Sequence, residues 1–321
     1  MEAELTYAQY INRKMIEYVE SLEYSVFFGQ NVISGSRISG LGAGMDKLDN
    51  VLGLNTQNSE NSLFGFGFGL SIMGVPSTYL MKQHDFVLLA IDHLVNTRRL
   101  LQNTKDLSSF VTVMVVVDSG FEGPQSNLNN LDDLYSLSGC KIWLLNSKSA
   151  IDVAFSSKRE EFEIFAISQS NLRSLLPLDD KSLIEGGFSV TAKRSTTQDS
   201  NPVLVNFGLG TQAFNSCVDF LLDQGMVFHV ARQVEMNLEK NLKFLQTMAL
   251  QGRKFVIVDS SKSRNRLSHQ VVIGLLENRA EVLYISRHDS DFWKQVNDDQ
   301  FVINQQSVLE FVRNVEDVLH G

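Results

Sequence analysis

Apolar positions along the chain switch repeatedly between a helical and a strand-like spacing. Tyr7, Ile11, Met15, Ile16 and Val19 recur at helical intervals and predict an amphipathic helix over residues 7–23. Tyr24 to Phe28, closed by Gly29, reads as a first buried strand. Residues 33–59 are rich in Gly, Ser and Asn and show weak periodicity, which predicts a long excursion with a short helix around 45–52. Excursions longer than ~12–15 residues are usually functional or mobile. A glycine-rich helix is expected over 62–74, stopped by Pro76, then a short strand at 78–82 and a helix from Phe86 to Leu100. On that helix Asp92 and Asn96 stand four apart and share a face.

The run Phe110 to Asp118 is the clearest strand, nearly continuous in β-branched residues as a strand buried on both faces must be. A helix at 131–137, a strand at 141–145, a helix starting at 150 and a strand at 162–168 follow. Such alternation predicts a doubly wound α/β layer. Residues 169–200 turn polar and read as an edge or linker, so the domains are expected to span 1–197 and 198–321. The second half repeats the alternation: strands at 203–207, 226–230, 255–258 and 282–285, with helices at 212–223, 237–249, 268–277 and 305–319.

Composition adds exclusions. The chain has 321 residues, of which 43% are hydrophobic, enough for about two domains. A net charge of −9 argues against general nucleic-acid binding, which needs a concentrated basic surface. Arg98 with Arg99, and Lys262 through Arg266, are small basic patches whose plain reading is a solvated surface; for Lys262 through Arg266 the alternative is contact with an acidic partner or substrate. No secretory leader is evident at the N-terminus, and no apolar run reaches the ~18 residues of a membrane helix. Cys140 and Cys217 lie in apolar segments, which suits buried free thiols in a reducing, cytoplasmic setting.

The chemistry concentrates in Ser59 to Asn96. Glu60 stands just before an apolar segment with glycines at 65, 67, 69 and 74, and Gln83-His84-Asp85-Phe86 follows. From the residues alone two readings are open: a carboxylate at the mouth of a closely packed, glycine-lined ligand site, or plain helix packing with a surface Glu in the first turn.

This stretch resembles the pyrimidine-binding domain of thiamine diphosphate enzymes, in particular the β subunit of 2-oxoacid dehydrogenase E1 components and their transketolase relatives. The resemblance spans nearly the whole chain, most specifically residues 60–96. It implies an α/β fold in which a pyrimidine-binding, doubly wound domain is followed by a transketolase C-terminal-like α/β domain. It also implies that Glu60 hydrogen-bonds the aminopyrimidine of thiamine diphosphate. Phe64 and Phe86, with Gln83 where the family tends to carry an aromatic, are then candidates for cofactor contact, and His84, the one imidazole nearby, is a candidate catalytic proton shuttle or else a structural or exposed loop histidine.

Departures from the family are informative. Gln30 follows Gly29 where relatives often carry an acid. The loop after the long strand reads Gly123-Pro124-Gln125-Ser126-Asn127, without the usual histidines, leaving Gln125 and Asn127 as hydrogen-bonding substrate or loop residues. After Asp259 come serines and basic residues rather than glycines. The family's Gly-Asp-Gly…Asn motif for diphosphate and Mg²⁺ is missing, and no metal ligand is assigned. The resemblance therefore implies a separate α-type subunit that carries diphosphate and metal, in an α₂β₂ assembly. The activity implied is decarboxylation of a 2-oxoacid or cleavage of a ketose, with acyl or aldehyde transfer or C–C bond formation. The alternatives are a catalytically degenerate assembly subunit, and an unrelated two-domain α/β protein. For the last, no P-loop is present, and G-F-G-F-G lacks the spacing of a dinucleotide fingerprint.

Overall fold

Strand β1 (Ser25–Gly29) is buried at every position, and its side chains divide two cores. Phe27 faces helix α1 (Tyr7–Glu20), while Phe28 faces helix α2 (Glu60–Ile72). The computed structural model describes residues 5–118, 128–176, 182–193, 201–287 and 301–313. These fall into two compact units. One comprises 1–129 and 134–178; the other comprises 130–133 and 179–321. The expected boundary at 197/198 falls within 194–200, outside the described residues.

In the first unit β1 pairs in parallel with β2 (Val51–Asn55) on one side and β3 (Ser77–Met81) on the other. The sheet continues through β4 (Phe110–Val116) to β6 (Phe162–Ser168) and β5 (Lys141–Leu144), all parallel. Helix α1 begins at Thr6, whose side chain accepts from the Gln9 N–H while Gln9 returns the bond, a reciprocal cap. Its Ile11, Met15 and Val19 pack with Phe27, Leu80 and Val113, joined by helix α5 (Lys148–Ser156). On the other face Phe28, Phe64, Phe68, Phe110 and Phe162 form an aromatic layer under α2, with ring centroids 5.1–6.3 Å apart in the contacting pairs. α2 ends on Gly74 at φ +77°, with Val75 N–H bonded to the Leu70 carbonyl, and Pro76 follows two residues on.

Local expectations fail in three places. β2 emerges from the stretch read as an excursion; it is a short edge strand that is only half covered, so it carries no continuous apolar run. The helix expected over 86–100 is a 3₁₀ turn at His84–Ala90, a π turn at His93–Thr97 and a single α turn, α3, at Arg98–Leu101. The Asp92–Asn96 pair is made as expected, with Asn96 Nδ2 donating to Asp92 Oδ1 at 2.6 Å. Within the stretch read as edge or linker, β7 (Leu183–Glu185) and β8 (Phe188–Lys193) form a hairpin on Gly186 and Gly187, both at positive φ.

The second unit orders its sheet β13-β12-β9-β10-β8-β7. β9 (Val203–Phe207), β10 (Phe228–Gln233), β12 (Phe255–Asp259) and β13 (Val282–Ser286) are parallel, and the β7–β8 hairpin runs antiparallel beside β10. The two-residue strand β11 is Glu235–Met236. Helices α6 (Gln212–Asp223) and α9 (Gln305–Arg313) cover one face, and α7 (Leu238–Ala249) and α8 (Leu267–Glu277) the other. α4 (Leu131–Ser138) gives its first residues to this unit. Both cysteines are buried and unpaired, and no helix among the described residues is long and apolar enough to cross a membrane.

Candidate functional site

Strand order in the first unit fixes where a ligand crevice must open. The chain leaves β1 toward β2, but leaves β3 toward β4 in the opposite direction. Adjacent strands with diverging connections leave a gap at their carboxyl ends, where open α/β sheets bind ligands. Gly29-Gln30 and Lys82-Gln83 stand at those two ends. Gly29 has φ +148°, and a Cβ there would sit 2.4 Å from the Leu80 carbonyl oxygen, so only glycine allows this turn beside β3.

A pocket of about 180 Å³ occupies the gap, and Gln30 and Gln83 both line it. Its apolar floor is Val115, Leu172 and Ile38, all members of the core on the α1 face.

Glu60 also lies at this carboxyl edge, but over the opposite face. It opens α2 five residues beyond the end of β2 and is 8% exposed. Its carboxylate sits in the first turn, where the helix dipole favours negative charge. No hydrogen bond or ion pair engages it among the described residues. Its charge reaches the Tyr79 hydroxyl, whose pKa is raised first by burial and then by Glu60. Phe64 is wholly buried between Tyr79, Phe110 and Phe162. His84 is 1% exposed, with Nδ1 3.4 Å from Met114 Sδ. Asp85 accepts from the Leu128 N–H, and Phe86 is half-buried. Gln125 and Asn127 lie outside the described residues.

So the sequence-chosen residues separate into two sets. Gln30 and Gln83 share the switch-point pocket, whereas Glu60 and Phe64 belong to the α2 face. Asn31, Ser36, Ser39, Lys82 and Gln169, which also line the pocket, went unnoticed in the sequence. Lys82 had a signal, since it closes the strand expected at 78–82. The others lie in loops whose convergence depends on strand order. The glycine run has a packing cause: a Cβ on Gly67 would fall 2.3 Å from the Phe110 ring.

A second edge, at the end of β12, corrects another expectation. Lys262, Ser263 and Arg266 are buried rather than solvated. The loop folds inward because its polar groups meet Asp259 and Asp132. Ser261 N–H donates to Asp259 at 2.8 Å, Ser268 Oγ donates to the same carboxylate, and Asp132 N–H donates to Ser263 Oγ at 3.2 Å. The Arg266 guanidinium donates to Ser286 Oγ and the Arg287 carbonyl, and Arg287 donates to the Ser260 carbonyl. Asp132 is pushed up to about 8 by burial and then by the Asp259 charge.

No protein-family model matches the chain, and no curated protein matches it. A solved structure similar to it is a split gene transketolase in an inactive β4 tetramer, with a TM-score of 0.67 and 13% identity over 97% of this chain and 98% of that one. At that identity the likeness carries the fold. The chain has the expected α/β class: a doubly wound first domain followed by a transketolase C-terminal-like α/β domain.

Proposed function

We propose that the chain is the β-type subunit of a two-component thiamine diphosphate enzyme, with Glu60 as the residue that meets the aminopyrimidine. The observation that carries this reading is the state of Glu60: a carboxylate on a residue more than nine-tenths buried, at the carboxyl edge of a parallel sheet, with no partner among the described residues. A buried acid without a partner is costly, and a ligand nitrogen that shares a proton with it relieves that cost. The cofactor, when bound, supplies the nucleophilic carbon for attack on a 2-oxoacid or ketose. Glu60 holds the proton at the ring nitrogen, and the aromatic layer of Phe28, Phe64 and Tyr79 fixes the start of α2 and keeps water from its inner side. In this reading diphosphate and Mg²⁺ belong to an α-type partner, because the Gly-Asp-Gly…Asn motif that would hold them is missing from this sequence. The similar split gene transketolase is inactive as a β4 tetramer, which supports a requirement for that partner.

A second reading, a catalytically silent assembly subunit, is favoured by Gln30 in the place of an acid and by His84 buried with Nδ1 beside Met114 Sδ. Native mass spectrometry of the chain purified from its own cells separates the two. The expected result is a heteromeric complex that carries thiamine diphosphate and Mg²⁺ and cleaves a 2-oxoacid or a ketose, with turnover abolished and assembly kept in Glu60→Gln. A complex that holds the cofactor but performs no partial reaction supports the silent subunit. Unchanged turnover in Glu60→Gln overturns the role of Glu60.

A further inference from the structure

The switch-point pocket is built for something charged. The exposed Lys82 lines it, and no acidic side chain does among the described residues. Gln30, Asn31, Ser36 and Ser39 line it too, and none of them makes a side-chain hydrogen bond or ion pair among the described residues; nor does Lys82. Deeper in, Gln169 Oε1 is buried with no hydrogen-bond partner. Gln169 is half-buried, so this oxygen is turned into the protein and the rest of the side chain lines the pocket. The adjacent acid, Asp118, is turned away: Ser168 Oγ and Ser170 Oγ each donate to it at 2.8 Å.

The backbone gives independent support. Four of the six non-glycine residues at positive φ among the described residues fall between 31 and 39, and three of them line this pocket: Asn31 at 53°, Ile38 at 49° and Ser39 at 56°. Ile38 is β-branched, for which this conformation is a true outlier. Strain of this kind costs of order 1–3 kcal/mol per residue and clusters at ligand clamps. Here it turns polar side chains into a crevice that the strand order opens.

We infer that this pocket binds a small hydroxylated anion, its carboxylate or phosphate held by Lys82 and its hydroxyl groups by the serines and the side-chain amides, that of Gln169 included. The volume is several times what a single water needs. The inference rests on the first unit alone and stands independently of the thiamine diphosphate reading.

Calorimetric titration of the full chain, without cofactor, with glycerate, glycerol 3-phosphate, glycerol and thiamine tests it. At least one of the two anions is expected to bind, more weakly as salt rises, while glycerol at the same concentration does not bind. The preferred anion distinguishes a carboxylate from a phosphate ligand. Lys82→Gln is expected to weaken that binding about tenfold or more, as loss of a charge-assisted hydrogen bond does. Gln169→Leu is expected to weaken it as well, and Lys105→Gln, a lysine elsewhere on this unit, to leave it unchanged. Melting curves of each variant verify that it is folded. Failure of both anions to bind, equal binding of glycerol, or an affinity within about twofold of the parent in folded Lys82→Gln overturns the assignment. Thiamine that competes with the anion reassigns the pocket to the cofactor ring and overturns it too, and it removes the role proposed for Glu60, which lies over the other face.

Discussion

Asp132 and Asp259 share one buried polar cluster in the second unit, and the charge of Asp259 adds to burial in holding Asp132 protonated far above the ordinary aspartate range. The unfolded chain releases this proton near the ordinary value of 3.8, and the folded chain releases it near about 8. Between those values only the folded state binds the proton, so stability falls as pH rises across the window and levels off above it. Asp132→Asn keeps the shape and the hydrogen-bonding capacity of the neutral acid. It is expected to flatten that decline and, near pH 8, to raise the melting midpoint by a few degrees, at roughly 2–4 °C per kcal/mol for a domain of this size. Midpoints of the parent and the variant from pH 4 to 9 give the comparison, and parallel curves sink the assignment.

Glu163 on β6 shows the opposite way to keep a buried acid. Burial raises its pKa, but Arg159 at 2.7 Å and Lys141 at 3.2 Å work against that rise. Arg159 also donates to the Ala154 and Ser157 carbonyls and lies over the Phe165 ring. Removing one partner of a buried pair costs about 3–5 kcal/mol, mainly through the charge left behind. Arg159→Ala is therefore expected to destabilise by about that amount in urea unfolding. Adding Glu163→Gln should recover part of the loss; a double variant worse than the sum of the singles contradicts the pairing.

The two-layer α/β architecture was legible because β4 and β6 are uninterrupted apolar runs, and α1 keeps its stripe at Ile11, Met15 and Val19. β2 and the β7–β8 hairpin were not, since edge strands bury too little to carry an apolar signature. Phe86 to Leu100 has a helical apolar period, yet tertiary packing divides it into 3₁₀, π and α turns. For the candidate site, Glu60, Gln30 and Gln83 were within reach of motif reading. Asn31, Ser39 and Gln169 were not, because they come together only once β1 and β3 lie side by side. The basic loop at 262–266 looked solvated since charge alone cannot reveal that Asp132, more than a hundred residues earlier in the chain, folds beside it.

Gly67 and Gly69, two residues apart on α2, are expected to respond oppositely to alanine. At Gly67 the added methyl group meets the Phe110 ring, itself locked between Phe64, Phe68 and Phe162. Overpacking of this kind costs about 1–3 kcal/mol. At Gly69 nothing lies within 4 Å of the added Cβ. There the gain in helix propensity, up to about 1 kcal/mol, is expected to appear undiluted. Thermal melts of the two variants of the free chain decide it, and a shift in the same direction for both would mean that the glycines of α2 do not divide into packing and open positions.

Glu60 is expected to trade stability for function. In the free chain the residue is mostly buried and its carboxylate makes no hydrogen bond or ion pair among the described residues, so Glu60→Gln, which removes the charge at almost no change in shape, should raise stability by about 0.5–2 kcal/mol. In the assembled complex the same change removes the group proposed to share a proton with the cofactor, so cofactor affinity and turnover should both fall. Glu60→Asp keeps the charge but draws it back by one methylene, and should lose turnover without the gain in stability. Urea unfolding of the free chain, alongside cofactor titration and turnover of the complex, separates these effects. A Glu60→Gln chain that is both less stable and fully active would leave Glu60 as an ordinary first-turn acid that serves the helix dipole alone.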